Sequence, residues 1–259
     1  KNLKHIAIIG GGIMGISSAL YLIRRGCKVT IIEKEPNGEP ASYGNASWLS
    51  SSSITPVLMP GAIFKIPKML FSRDGPLFLN FPGVLRILPW LLKYLSYSSE
   101  VKVNYISDHL APLLSNSFEE HKKLAEGTDA LKWIVNSPFL FIYKNREDYI
   151  RETLTWNIRK KHGFKPIEIG KDELSALVPG LSEDYTFAIK INNQGYISNS
   201  KKYLNDLIEG FKKLGGKIIE DEVVDISSDQ KTIIIKGKKE EMFSDSVVIA
   251  AGVFSDKLS

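Results

Sequence analysis

Apolar residues open the chain in two different rhythms. Ile6-Ala7-Ile8-Ile9 is an unbroken apolar run, the pattern of a strand covered on both faces. It meets Gly10-Gly11-Gly12-Ile13-Met14-Gly15, after which apolar positions recur at helical spacing over residues 16–25. Gly26 stops that segment, and a second apolar run over 28–32 ends on Glu33. The pattern predicts strand, glycine turn, helix, strand, acid.

Downstream, residues 34–40 form a turn-rich connector, and 41–53 form a loop rich in serine with Gly44 and Asn45. Residues 56–97 mix Leu, Phe, Ile, Met and Trp with Pro60, Pro67, Pro76, Pro82 and Pro89, so one long helix is excluded and a short helix over 85–94 is expected. Helices are expected over 101–126, 148–162, 171–177 and 200–214, the last capped near Ser198, Asn199 or Ser200 and stopped by Gly215. Strands are expected over 139–143, 187–191, 217–221, 223–227, 232–236 and 246–250, with 242–243 adding part of another and 192–195 forming a turn. Strands therefore return after residue 192, which predicts a split first domain: 1–60 and 192–259 around an inserted segment at 61–191.

Composition narrows the class. With 259 residues, 43% hydrophobic and 24% charged, the chain has the make-up of a globular protein. The net charge of +5 is spread among nearby acids, which argues against a nucleic-acid partner. The longest charge-free run is too polar to span a membrane, and the first strand leaves no room for a signal peptide. One cysteine, Cys27, forms no intrachain disulfide and fits a cytoplasmic setting. His5, His109, His121 and His162 show no metal-ligand spacing, so no metal site is expected. Lysines and arginines within 56–97 leave two readings of that segment: a lid or packing element, or a patch resting on the inner membrane surface.

The opening pattern carries specific chemistry. Gly10 permits the tight turn out of the strand, Gly12 lets the backbone approach a pyrophosphate, and Gly15 lets helix and sheet pack closely. The N–H groups at the helix start attract phosphate, and Glu33, about twenty residues on, can accept hydrogen bonds from a ribose diol. The motif alone serves FAD or NAD equally.

Four stretches together resemble the FAD-dependent D-amino-acid oxidase superfamily, most closely the small-subunit type of bacterial D-amino-acid dehydrogenase. They are the glycine turn with Glu33-Lys34; the loop Ala41-Ser42-Tyr43-Gly44-Asn45-Ala46-Ser47; the turn Asn192-Asn193-Gln194-Gly195-Tyr196-Ile197 before a long helix; and Val247-Val248-Ile249-Ala250-Ala251-Gly252-Val253-Phe254-Ser255. The resemblance implies an α/β fold, with a Rossmann-like FAD-binding domain interleaved with an α+β substrate domain. It also implies that the C-terminal part of the family fold, with the arginine that clamps the substrate carboxylate, is missing, which leaves the active site incomplete and no catalytic residue to name.

By the same resemblance, Gly10, Gly12, Ile13, Met14 and Gly15 hold the pyrophosphate of FAD, and Glu33 binds the adenosine ribose with Lys34 beside it. Ser42, Asn45, Ala46 and Ser47 line the ribityl and ring side, Val223 meets adenine, and Ala251 and Gly252 pack on the pyrophosphate. Ser47 stands where the family usually has glycine, and is expected to narrow that space. The implied reaction takes hydride from a D-amino acid to flavin N5, yielding a 2-oxo acid and ammonia, with electrons passing to a quinone or another acceptor. Glycine, sarcosine or proline as substrate, a simple nicotinamide dehydrogenase, and a non-catalytic FAD-binding subunit stand as alternatives. The serine-rich loop and proline-broken segment after Glu33 speak against simple nicotinamide-type βα alternation.

Overall fold

The two apolar runs at the start of the chain lie side by side in one parallel sheet. In the computed structural model, which describes residues 3–36, 38, 40–61, 81–229 and 232–258, with backbone alone for 81–85, β1 (His5–Ile9) sits centrally. It is flanked by β2 (Lys28–Glu33) and by a strand from the far end of the chain, Ser246–Ile249, numbered β13 below. The order is β13-β1-β2-β9, with β9 (Lys217–Glu220) on the outer side of β2. Ile8 pairs with Ile31 on one side and Val248 on the other, which explains why the run is apolar without alternation. α1 (Ile13–Arg24) buries Ile16, Ala19 and Leu20 at helical spacing. A further helix, α8 (Ser200–Lys213), is capped by Asn199, whose side chain accepts the Lys202 N–H, and buries Tyr203, Leu204, Leu207 and Phe211.

β10 (Val223–Ser228), β11 (Ile233–Gly237) and β12 (Glu241–Ser244) form an antiparallel meander, so the segment around 242–243 is a full strand. Ile235 from this meander packs with Ala7, Ile9 and Ile32, giving the parallel sheet its second cover. A third small sheet joins β3 (Trp48–Leu49), β8 (Gly195–Ile197) and β4 (Ile134–Asn136) in the order β3-β8-β4.

Residues 101–126, expected as one helix, form two. α3 (Glu100–Leu114) carries Pro112 in its last turn, where it removes the bond to the carbonyl four residues earlier, and α4 (Ser117–Ala125) begins after two intervening residues. Residues 148–162 also divide, into α5 (Arg146–Ile150) and α6 (Thr153–Lys161). Asn145 starts α5 early by accepting the Asp148 N–H. The break has a packing reason: a continuous helix would separate Tyr149 and Trp156 by about 10.5 Å along its axis, whereas their ring centroids lie 5.6 Å apart. The expected helix at 85–94 is found as α2 (Phe81–Leu95), with Pro89 inside it. The rest of the proline-broken segment, 62–80, lies outside the described residues.

The contacts divide the chain into two compact units: Lys1–Leu49, Glu119–Asn136 and Gly195–Ser259 in the first, and Ser50–Phe118 and Ser137–Gln194 in the second. Residues 50–60 and 192–194 fall in the second unit, and the largest difference from a single inserted block at 61–191 is the stretch 119–136. It joins the first unit because Arg24 of α1 donates to the carbonyls of Leu124 and Glu126, Trp133 Nε1 donates to Asp206 of α8, and β4 pairs with β8. Within this unit His121 is half-buried against the Tyr203 hydroxyl, Nδ1 to oxygen 2.9 Å. Burial lowers the imidazole's affinity for a proton. The folded chain thus refuses a proton that the unfolded chain accepts below pH about 6.5. The expected result is a melting temperature that falls as pH drops from 7 toward 5, by an amount that shrinks in His121→Gln; differential scanning calorimetry across that range checks it.

In the second unit, β5 (Phe139–Tyr143), β7 (Phe187–Ile191) and β6 (Ile167–Gly170) form an antiparallel sheet in the order β5-β7-β6. The core is aromatic: Tyr143, Tyr149, Trp156 and Phe187 pack with Ile189 and Ile191. Trp156 Nε1 donates to the Tyr143 hydroxyl, which donates to Glu152. Beside it, buried Arg159 stacks over Phe141 and Trp156 and donates from Nε to the Ser52 carbonyl. α7 (Lys171–Leu177) places Leu174 against Ile169 and Ala188.

Candidate functional site

At the carboxyl end of β1 the glycines are held by contact with backbone. Gly10 has a left-handed φ of 105°, and a Cβ there would lie 2.4 Å from the Ala250 carbonyl oxygen. A Cβ on Gly15 would lie 1.9 Å from the Gly10 carbonyl oxygen. No side chain fits at either position while β1, β13 and α1 keep this spacing. Gly12 is the N-cap of α1 and has no side chain to cap with; the Ile13 N–H donates instead to Ser42 Oγ at 3.0 Å. The first turn of α1 itself holds no acidic residue, so its dipole leaves positive character at the helix start.

Glu33, at the end of β2, accepts the Gly11 N–H at 2.6 Å and the Glu35 N–H at 3.0 Å. The acid is therefore fixed beside the glycine turn. Lys34 turns aside: its ammonium lies 4.5 Å from the Phe254 ring centre, with Lys257 on the same ring at 5.4 Å.

The loop after β2 is tied to itself and to α8. Asn45 donates from Nδ2 to the Ser42 carbonyl and accepts the Ser47 N–H. Ser47 has φ 56°, a left-handed conformation that suits glycine better. Its hydroxyl lies 2.9 Å from Ser200 Oγ, a tether that glycine cannot make. Tyr43 donates to Asn205 and Ala46 is exposed. On the other side, the Ala250 N–H donates to the Ile9 carbonyl, which brings Ala251 and Gly252 (φ 59°) next to the turn.

Gly10, Gly12, Ile13, Gly15, Glu33, Ser42, Ala251 and Gly252 are thus gathered at one sheet end. Met14 is exposed on the first turn of α1. Asn45, Ala46 and Ser47 extend away along the loop. Val223 lies beneath, packed with the Ala7, Ile9 and Ile32 core. Among the described residues no group of acids, histidines and cysteine has the arrangement of a metal site.

Sequence reasoning missed Asp221. Its buried carboxylate accepts the N–H groups of Glu222, Lys239 and Glu240. Burial alone would raise its pKa, but these backbone donors outweigh it and hold the carboxyl below the usual range. Gly237 makes room, since a Cβ there would lie 1.9 Å from Asp221 Oδ2. An acid followed sixteen residues later by the only glycine between 217 and 251 was the available signal.

A parallel sheet, a glycine turn that admits no side chain, a helix N-terminus met by Ser42 and a fixed acid beside it form a dinucleotide cradle. The family profile for FAD dependent oxidoreductases, DAO, matches residues 5–259. The chain belongs to this family. A D-amino-acid oxidase of Bradyrhizobium diazoefficiens is 33% identical over 260 residues, covering 99% of this chain and 62% of that protein. A D-amino acid dehydrogenase of Helicobacter pylori is 24% identical over 258 residues, covering 96% of this chain and 60% of that protein. Two solved structures share the fold. One is glycine oxidase from Bacillus cereus, with TM-score 0.63, 21% identity and coverage of 98% of this chain and 57% of that one. The other is L-proline dehydrogenase from P. horikoshii, with TM-score 0.65, 19% identity and coverage of 99% and 55%. The chain therefore spans about three fifths of the curated relatives it matches. FAD is the family's cofactor, and the cradle fits it: Gly10 and Gly15 let β1, the turn and α1 close together, which sets the start of α1 at the sheet end with Ser42 beside it.

Proposed function

We propose that this chain is the FAD-binding portion, with part of the substrate domain, of an enzyme that oxidises D-amino acids to 2-oxo acids and ammonia. The observation that carries the cofactor half is the glycine cradle, where a Cβ on Gly15 would strike the Gly10 carbonyl. The D-amino-acid half rests on the sequence relatives, because the glycine and proline enzymes match in fold alone. Gly10, Gly12, Ile13, Met14 and Gly15 receive the pyrophosphate through backbone N–H groups. Glu33, already positioned by Gly11, accepts from the adenosine ribose, with Lys34 nearby. Val223 serves the adenine end, Ala251 and Gly252 pack on the pyrophosphate, and Ser42, Asn45, Ala46 and Ser47 follow the arm toward the ring. Bound FAD supplies a hydride acceptor. The protein's contribution on this chain is binding, orientation and exclusion of water. Residues 61–118 and 137–191 are assigned to the substrate domain.

The test is spectroscopic. Anaerobic D-alanine is expected to bleach the visible flavin bands of the FAD-loaded protein. Bands that glycine, sarcosine or L-proline bleach while D-alanine does not would overturn the D-amino-acid assignment.

A quinone or similar acceptor at a membrane surface fits the apolar segment. α2 exposes Ile87, Leu88, Trp90 and Leu92 with Arg86 and Lys93, and among the described residues no helix is long and apolar enough to cross a membrane. Peripheral attachment at the cytoplasmic face follows from apolar and basic residues together. The chain is expected to float with vesicles containing anionic phospholipid, and Trp90→Glu to weaken that association. Equal flotation of both forms would contradict it.

A further inference from the structure

Arg159, near the end of α6, is a buried cation whose hydrogen bonding is unfinished. The residue is 6% exposed, and among the described residues its guanidinium makes one hydrogen bond, from Nε to the Ser52 carbonyl at 3.1 Å. Its central carbon lies 4.4 Å from the ring centre of Phe141 and 4.7 Å from that of Trp156. Aromatic faces attract the charge but leave the rim of N–H groups to be satisfied, and Nη1 has no partner among the described residues. Glu152 favours the charge without bonding to it, since its carboxylate accepts the Tyr143 hydroxyl. Burial lowers the guanidinium's hold on its proton, yet an arginine stays charged at any ordinary pH, so the charge needs an outside partner.

Two hydroxyls share this condition. Ser52 and Ser107 are 0% exposed, and neither Oγ has a partner among the described residues. Both converge on Arg159 within the second unit. Ser52 supplies the carbonyl that Nε meets. Ser107 sits one helical turn from Val103 and from Ala111 on the buried face of α3, and those two pack with Ile54 and with Ile158, the neighbour of Arg159. Asp108, next to Ser107, accepts Lys161 Nζ at 2.7 Å and lies 2.9 Å from His162 Nε2, which pins α3 to the end of α6. Buried polar groups are nearly always satisfied, so three orphans from three segments around one cluster call for a common partner. The guanidinium can only donate and each hydroxyl is free to donate, so that partner is an acceptor, and beside a buried cation a negative one.

We propose that Arg159, Ser52 and Ser107 bind a small monovalent anion, a halide or the carboxylate of a small acid, inside the second unit. The site is built wholly from residues of that unit and stands independently of the FAD reading. The bound anion neutralises Arg159 and ties the segment after β3 and helix α3 to α6.

The experiment follows the melting temperature by circular dichroism as sodium chloride or sodium formate replaces sodium gluconate, whose anion is too large to enter, at constant ionic strength. An anion that binds only the folded chain raises the melting temperature with its concentration. Chloride and formate are both expected to raise it in the wild type. Ser107→Ala is expected to need several-fold more anion for the same rise, and Arg159→Gln to show no rise. Ser51→Ala is the control, because that buried hydroxyl is already paired with Ser117 Oγ at 3.1 Å, and its response is expected to match wild type. A rise with formate alone supports the site with a carboxylate as its ligand, and a rise with chloride alone supports it with a halide. A wild-type melting temperature that responds to neither salt overturns the proposal. So does a Ser107→Ala response equal to that of the wild type, or an equal loss of response in Ser51→Ala. If Arg159→Gln fails to fold, the comparison of Ser107→Ala with Ser51→Ala decides.

Discussion

Gly15→Ala is expected to remove FAD binding and to destabilise the first unit. The added methyl lands 1.9 Å from the Gly10 carbonyl oxygen and 3.0 Å from its carbon, both backbone atoms that cannot rotate away. Either α1 lifts off the turn or the turn itself shifts, and overpacking of this kind costs about 1–3 kcal/mol. The larger effect is on the site, because the first N–H groups of α1 must stay aimed at one point to receive a pyrophosphate. Gly26→Ala is the control. Unlike helical Gly15 it has a left-handed backbone, φ 83°, but nothing lies within 4 Å of its added Cβ. It is expected to lose about 1–2 kcal/mol from backbone strain alone and to keep FAD. Thermal melts with absorbance after gel filtration separate the two outcomes; equal FAD retention by both variants would contradict the cradle.

Trp156→Ala is expected to be the most destabilising single change in the second unit. Trp156 is 1% exposed and touches both Phe141 and Tyr149 at ring-centroid distances of 4.9 and 5.6 Å. Truncating a buried indole costs about 3–5 kcal/mol. The change also strips the Tyr143 hydroxyl of a donor and Arg159 of one of its two aromatic neighbours. Trp156→Phe retains most of the packing and is expected to lose about 0.5–1.5 kcal/mol with the hydrogen bond. Urea unfolding followed by near-ultraviolet circular dichroism gives both values. A Trp156→Ala midpoint within error of Trp156→Phe would show that the cluster does not hold this unit together.

What was legible in the sequence followed from local rules. β1, the glycine turn, α1, β2 and Glu33 announce themselves because a strand covered on both faces must be apolar throughout and a close turn must be glycine. The caps at Asn199 and Gly215 likewise end α8 near its expected bounds. What the sequence hid depends on partners distant in the chain. The break between α5 and α6 exists so that Tyr149 and Trp156 can meet, and periodicity over 148–162 cannot report a contact that only the fold creates. The transfer of 119–136 to the first unit depends on Arg24 and Asp206, about a hundred and seventy residues of chain on either side of it combined. Ser42 was picked out by family resemblance, but its part as the cap of a helix twenty-nine residues earlier appears only when the loop folds back. Asp221 was silent because its partners are backbone amides, which no side-chain pattern encodes.

The central claim is that residues 10–15, 33, 42–47 and 251–252 form an FAD site. The most direct measurement is the visible absorption spectrum of the 259-residue chain after mixing with FAD and gel filtration. Flavin bands that co-elute with the protein at close to one FAD per chain are the predicted result. A chain with native circular dichroism that elutes without flavin after mixing with excess FAD would contradict it.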